Sequence, residues 1–345
     1  MRLVPASARA SCGLGITRQF RRALAVLPAA LLLAGCGVGG GGTSANVSAS
    51  GSLAITVAAV PGVGDAPLYI ARRDGLFRQH GLDVTIRNYT SLEQEIPALS
   101  SGHADIAAGD YADFFYQENH AHLALRLIAD GYDAAPNVME VLTLPTSHIT
   151  SPQDLVNKTI ATPMPQAIND SSNVPDSLEM MATQAVLRND GVGPTSITWQ
   201  PTPQRDMISA LSTGKVNAIL TTEPYIFEAE SRLGAVAVLD SCSGVTANLP
   251  LLGYFSMSAF AHEHPQAVRA FRSALLQAQA DAAMRGPVQT ALTESVGISS
   301  QDAPLLTLGV YPTFLSVGQV QRVADLMYDA GMISTPLAIQ KLVAR

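Results

Sequence analysis

The chain reads as an α/β protein in two lobes, and three observations carry that reading. From residue 53 onward, short β-branched or small-residue runs alternate with amphipathic stretches of helix length. That pattern belongs to mostly parallel sheets flanked by helices. Two segments share one internal grammar: residues 96–108 run helix, Ser-Gly, a polar residue and Ala-Asp-Ile-Ala-Ala, and residues 210–220 run helix, Thr-Gly and Lys-Val-Asn-Ala-Ile-Leu. Finally, 345 residues exceed one ordinary core, so one such unit per lobe is the simplest division.

Residues 1–36 read as an address. Arg2, Arg9, Arg18, Arg21 and Arg22 precede an apolar run, Ala23 to Leu33, that ends at Leu33-Ala34-Gly35-Cys36. The run is too short to span a bilayer, and its basic head and small-residue end describe a secretory signal. The Leu-Ala-Gly-Cys ending resembles the bacterial lipobox, which implies lipidation of Cys36 and an exported, membrane-anchored protein. Residues 37–52 carry no charge and include four consecutive glycines, Gly39 to Gly42, a flexible tether. With Cys12 in the signal and Cys36 acylated, Cys242 is left alone, so no internal disulfide is expected.

The folded body opens with a strand, Leu53 to Val60, stopped by Pro61-Gly62. A helix over Leu68 to His80 is capped by Gly81, and Leu82 to Tyr89 alternates as a strand. Leu92 to Ser101 reads as a helix, and Ala104 to Ala108 and Leu123 to Ala129 as strands. A second set begins at Ser151-Pro152-Gln153-Asp154, a capping box with proline at the first helical position. Strands follow at Lys158 to Thr162, Ile197 to Gln200 and Val216 to Thr221, and helices at Asp176 to Asp190, Gln204 to Thr213 and Tyr225 to Leu233. From about residue 253 the pattern turns mostly helical, with one long helix over His264 to Arg285 and another over Val317 to Ala330.

Composition narrows the function. The net charge is −7, yet the five arginines before Cys36 stand among no acids, so the remainder is more acidic still. Such a chain lacks the clustered Lys and Arg that nucleic acid or an anionic membrane surface requires. No Walker loop, nucleophile elbow, Cys-x-x-Cys or cofactor fingerprint occurs, and the seven histidines follow no metal or triad spacing. No cofactor and no metal are expected.

Several stretches together resemble one family. "PLYIARRDGLFRQHGLDVTI", "ALSSGHADIAAGD", "SPQDLVNKTIATP", "ALSTGKVNAILTTEPY" and "GYFSMSAFAHEHPQAVRAFRSALLQA" occur in the family's order. They are similar to solute-binding proteins of ABC importers for sulfonates, nitrate and thiamine-precursor pyrimidines, a family that includes pyrimidine synthase-like enzymes. The resemblance implies a two-lobed periplasmic-binding-protein type II fold with a ligand cleft between lobes. It implies a first lobe of residues 53–137 plus 239–345 and a second of 138–238, with Val138 to Leu144 and Ala235 to Leu239 as crossing strands. It further implies a monomer that closes on a small molecule by a hinge and delivers it to an ABC permease and its ATPase. An enzyme on the same fold and a ligand sensor are the alternatives.

In α/β lobes, ligands bind where loops leave the carboxyl ends of strands. Four loops qualify. In the first, Gly64 and Asp65 are the candidates, against a plain strand-to-helix loop. In the second they are Asp110, which equally suits an N-cap, and Tyr111, a flat wall. Gln166 and Asn169 in the third are adaptable hydrogen bonders in what is otherwise a solvated loop. Glu223 and Tyr225 mark the fourth. Asp65, Asp110 and Glu223 are acidic and no lysine lies in these loops, so a neutral or amine-bearing ligand, such as an aminopyrimidine, is favoured, with a sulfonate left open. Trp199 either stacks on a flat ligand or packs in the core.

Overall fold

The structure is a computed structural model that describes residues 52–163 and 177–344. The signal, the tether and Cys36 lie outside the described residues, as do Gln166 and Asn169.

The first lobe begins with β1 (Leu53–Ala59), α1 (Ala66–Arg73), α2 (Leu76–Gln79), β2 (Leu82–Asn88), α3 (Leu92–Ser100) and β3 (Ile106–Asp110). It continues through α4 (Tyr111–His120) and β4 (Leu125–Asp133). The single helix expected over Leu68 to His80 is two. Gly75 takes a left-handed φ of 70°, a conformation that suits glycine and ends a helix, and Arg73 pairs with the adjoining Asp74.

The chain then builds a second sheet from β5 (Met139–Thr143), β6 (Thr159–Pro163), α5 (Leu178–Asn189), β7 (Thr198–Thr202), α6 (Gln204–Ser212), β8 (Ala218–Thr222), α7 (Tyr225–Leu233) and β9 (Val236–Asp240). It returns as β10 (Pro250–Met257) and closes with α8 (Ser258–Glu263), α9 (Pro265–Asp281), α10 (Arg285–Ala291), α11 (Val317–Asp329) and α12 (Ile339–Leu342). The turn to helix at 253 therefore comes later, because Leu252 to Phe255 pair with β3. The long helix expected to Arg285 stops at Asp281 and restarts at Arg285 as α10.

Both sheets have five strands of one plan. Their orders are β2-β1-β3-β10-β4 and β7-β6-β8-β5-β9. In each, the antiparallel member is the first strand made after the chain arrives from the other sheet. The ranges expected as crossing strands are thus β5 and β9, paired side by side in the second sheet. Passage between the sheets is made by residues 134–138 and 241–249. One backbone bond ties the two passages, Ala134 N–H to the Leu249 carbonyl at 2.8 Å, and a second ties the return passage to the start of β5, Ser241 N–H to the Met139 carbonyl at 2.9 Å.

The shared grammar of the two helix-turn-strand units extends to single hydrogen bonds. Ser101 Oγ donates to the Pro97 carbonyl at 2.6 Å, and Thr213 Oγ1 donates to the Ser209 carbonyl at 2.7 Å. Each is followed by a left-handed glycine, Gly102 and Gly214. Asp105 then accepts the Thr56 amide at 2.7 Å while its own amide donates to the Thr56 carbonyl at 2.8 Å. Asn217 repeats this on Thr159 at 2.9 and 2.8 Å. A short polar side chain after the turn fixes where each unit's strand joins its neighbour.

The inner strands of the first sheet are buried on both faces. Ile55, Val57, Tyr254 and Ile128 turn toward α1 and α9, and Ala58, Ala107, Phe255 and Leu127 toward α4 and α11. Gly253 lets the Tyr111 ring cross the sheet closely, since a Cβ there would meet Tyr111 Cζ at 2.7 Å. That ring is anchored by its hydroxyl, which donates to Asp130 at 2.7 Å, so it has little room to yield. Gly253→Ala is expected to lower unfolding free energy by about 1–3 kcal/mol, read as a lower urea midpoint. An unchanged midpoint would show that the ring moves aside freely.

Candidate acid-lined ligand cleft

At the carboxyl end of β3 in the first lobe, Asp110 and Asp113 lie within electrostatic reach of Glu179 in the first turn of α5 from the second, and Asp65 and Glu95 act on each other close by. Asp65 closes a turn of the loop after β1, its amide donating to the Gly62 carbonyl at 3.2 Å. Its side chain is 1% exposed, and Oδ1 has no hydrogen-bond partner among the described residues. Glu95, in α3, is fully buried, and neither of its carboxyl oxygens has such a partner. Nor does the hydroxyl of Tyr254, also fully buried. Unpaired polar groups at this depth are rare because each forfeits its bonds to water.

Burial sets the charge state of this cluster. It pushes the Asp65 carboxyl up to about 8, eased by the Gly62 backbone. It pushes Glu95 well above its usual range, with Asp65 and then Asp113 adding repulsion and the Ala108 backbone easing it in part. Burial likewise raises the Tyr254 phenol, and Asp65 and Glu95 are among the charges that reinforce the rise.

A second group of acids spans the lobes. Asp110 N-caps α4, its carboxylate accepting the Ala112 amide at 2.7 Å. Burial raises its carboxyl well above the ordinary range, then Asp113 and Glu179 raise it further, with the Ala112 and Asp113 amides opposing. Asp113 is pushed to about 7, by burial first and Glu179 second. Glu179 lies in the first turn of α5, so this repulsion acts from one lobe on the other. Among the described residues the ion pairs are Arg73–Asp74, Arg205–Asp206 and Arg232–Glu228. None neutralises Asp65, Glu95, Asp110 or Asp113.

Glu223, just after β8, bridges the lobes. One carboxyl oxygen accepts the Phe227 amide at 3.0 Å and the other the Thr307 amide at 2.8 Å. Thr307 belongs to a segment held on the first lobe, where Val310 and Asp133 exchange backbone bonds at 2.8 and 3.0 Å and Tyr311 donates to the Val63 carbonyl at 2.8 Å. Burial raises the Glu223 carboxyl, its two amide donors lower it, and Glu230 raises it.

The remaining expected site residues take other places. Tyr111 is fully buried against Phe115 and Phe255, so it is a core ring held by Asp130 and not a wall of the cleft. Gly64 is small for the protein's own sake, since a Cβ would lie 3.2 Å from Tyr132 Cβ. Tyr225 is half-buried against the apolar cluster of the second lobe. Trp199 packs beside the core and donates to the Pro194 carbonyl at 3.1 Å.

Glu95, Asp113 and Glu179 escaped the sequence reading. For Glu95 a signal existed: it stands four residues before Leu99, on the apolar side of α3. Two cavities, of about 550 and 380 Å³, lie elsewhere, one beside Arg188 and Arg322 and one beside Arg285 and Tyr311. Neither cavity is lined by Asp65 or Glu95. Among the described residues no group of three or more His, Cys, Asp or Glu side chains is placed to hold a metal ion.

Comparison with known proteins agrees with this architecture. A family model described as NMT1/THI5 like matches residues 64–290. The periplasmic aliphatic sulphonate binding protein SsuA from Escherichia coli superposes with a TM-score of 0.67 at 15% identity, over 84% of this chain and 97% of that one. The alkanesulfonate-binding protein SsuA from Xanthomonas axonopodis pv. citri, bound to MOPS, gives 0.66 at 16% identity, over 84% and 97%. The desulfurization enzyme DszB gives 0.62 at 14% identity, over 84% and 96%. No curated protein matches the chain by sequence. At these identities the likeness speaks to fold, a two-lobed periplasmic-binding-protein fold.

Proposed function

The chain belongs to the NMT1/THI5-like family, and on that premise we propose that it is the extracytoplasmic solute-binding component of an ABC importer. In this reading it captures a small organic molecule between its lobes and presents the closed form to a permease and its ATPase. The observation that carries it is the joint between the lobes: two sheets of one plan, linked by two short passages bonded to each other. Such a joint can bend while each sheet stays rigid, the arrangement hinge closure needs. A guest shifts the population only through its preference for the closed form.

The binding reading is favoured over an enzymatic one by the state of the single described cysteine. Cys242 is 3% exposed, and burial followed by the charge of Asp240 raises its thiol far above the ordinary value. A thiol so held is not a nucleophile. No helix among the described residues is long and apolar enough to cross a membrane. The Leu33-Ala34-Gly35-Cys36 ending supports anchoring through Cys36. Cys36→Ser is expected to move the protein from the membrane fraction to the soluble one and to abolish incorporation of labelled fatty acid. Unchanged partitioning would remove the anchor from this account. The function itself is tested by small-angle scattering with and without a guest that raises the melting temperature. A fall in radius of gyration is expected, and superimposable profiles would refute closure.

A further inference from the structure

We propose, building on the solute-binding reading above, that the guest is a small organic cation rich in N–H donors, seated on Asp65 and Glu95. Among the described residues, three carboxyl oxygens there, Asp65 Oδ1 and both of Glu95, are buried without a hydrogen-bond partner. Burial favours the neutral acids, and a cation that pairs with them draws them into the ionised form, in which all three oxygens accept and what completes them must donate. The one further unpartnered group beside them, the Tyr254 hydroxyl, has a single proton to give. A primary ammonium, an amidinium or a guanidinium brings several donors and the countercharge in one group. A sulfonate or nitrate brings acceptors only, so it could be held only by the protonated acids and would find no countercharge there.

The surroundings discriminate further. Glu95 feels Asp65 and Asp113, and Asp113 feels Glu179 from the other lobe. Closing the lobes thus draws acids together, and a cation between them turns that repulsion into attraction. Arg72 lies over the Tyr69 ring at 5.3 Å and, among the described residues, pairs with neither acid. Metal binding would need a ligand set that the described residues do not assemble. In this the chain departs from the sulfonate-binding proteins it resembles in fold.

The test is calorimetry and thermal shift on the full chain, the Glu95→Gln variant and the Asp65→Asn variant. The cationic probes are benzamidine and putrescine, set against butanesulfonate, nitrate, zinc chloride and neutral 4-amino-2-methylpyrimidine. Benzamidine or putrescine is expected to bind the unaltered chain. Each variant should weaken that binding roughly ten- to a hundredfold, as loss of a charge-assisted contact does. Without probe at pH 8, where Asp65 is about half ionised, the variants should melt no lower than the parent, since each removes a buried carboxyl that ionises at a cost to folding; that separates lost binding from lost folding. Cation binding that ignores both substitutions overturns the inference. So does binding of butanesulfonate, nitrate, zinc or the neutral pyrimidine while both cations stay silent, although solute binding would then stand. If every probe is silent and scattering never changes, the solute-binding reading falls, and this inference with it.

Discussion

Between pH 6 and pH 8, the affinity of the chain for benzamidine is expected to rise by roughly fiftyfold. The amidinium stays protonated throughout, so the change must come from the protein. Asp65 titrates at about 8 in the folded chain against an ordinary 3.8. At pH 6 its carboxyl is almost wholly protonated, and at pH 8 about half is ionised and ready to pair. Folding stability in the absence of ligand should run the other way. A carboxyl whose value is raised on folding contributes no penalty below its unfolded value, and the folded state loses stability as pH climbs toward the folded one. The unliganded melting temperature is therefore expected to fall from pH 4 to pH 8, opposite to the behaviour of a salt-bridged aspartate. The groups around Asp65 reinforce this direction, since Glu95, Tyr69, Tyr254 and Tyr311 supply no positive charge, and Arg72, over the Tyr69 ring, and Arg285, near Tyr311, pair with neither acid. Asp65→Asn should flatten both profiles. Flat profiles in the parent would show that Asp65 is ionised at neutral pH and that its burial is relieved in solution.

The two-lobed architecture was legible because it is written in local signals. Ser101-Gly102 and Thr213-Gly214 each end a helix, and Asp105 and Asn217 each lock the following strand to its neighbour. The strand-helix alternation and most boundaries come from periodicity, which is local too. What failed was non-local. Tyr111 follows a candidate loop, and nothing nearby in sequence says that its ring passes under Gly253 to Asp130. Glu95 sits in an ordinary-looking helix and becomes unusual only when Asp65, thirty residues earlier, folds beside it. The acidity of the loops was visible in Asp65, Asp110 and Glu223, but their environments were not. One is an orphan, one a helix cap and one a bridge between lobes.

That bridge carries the other large effect. Glu223→Ala is expected to weaken ligand binding by roughly ten- to a hundredfold without the residue touching ligand at all. The carboxylate accepts one amide from its own helix, Phe227, and one from the first lobe, Thr307. Bonds from backbone amides to a carboxylate are among the stronger ones, about 1.5–3 kcal/mol each. The Thr307 bond joins the two lobes, so its loss falls on the closed form and leaves the open one largely unaffected. The apparent affinity of a protein that must close before it holds its guest drops in proportion to the closed fraction. Scattering should show a more open average in the variant, and saturating ligand should restore the compact form. The association rate should change less than the dissociation rate, since the latch acts after the guest has entered. A variant that loses affinity while its unliganded profile stays that of the parent would instead place Glu223 on the ligand itself. Lost affinity with a lowered melting temperature and no opening would make it a prop for α7, acting only through Phe227.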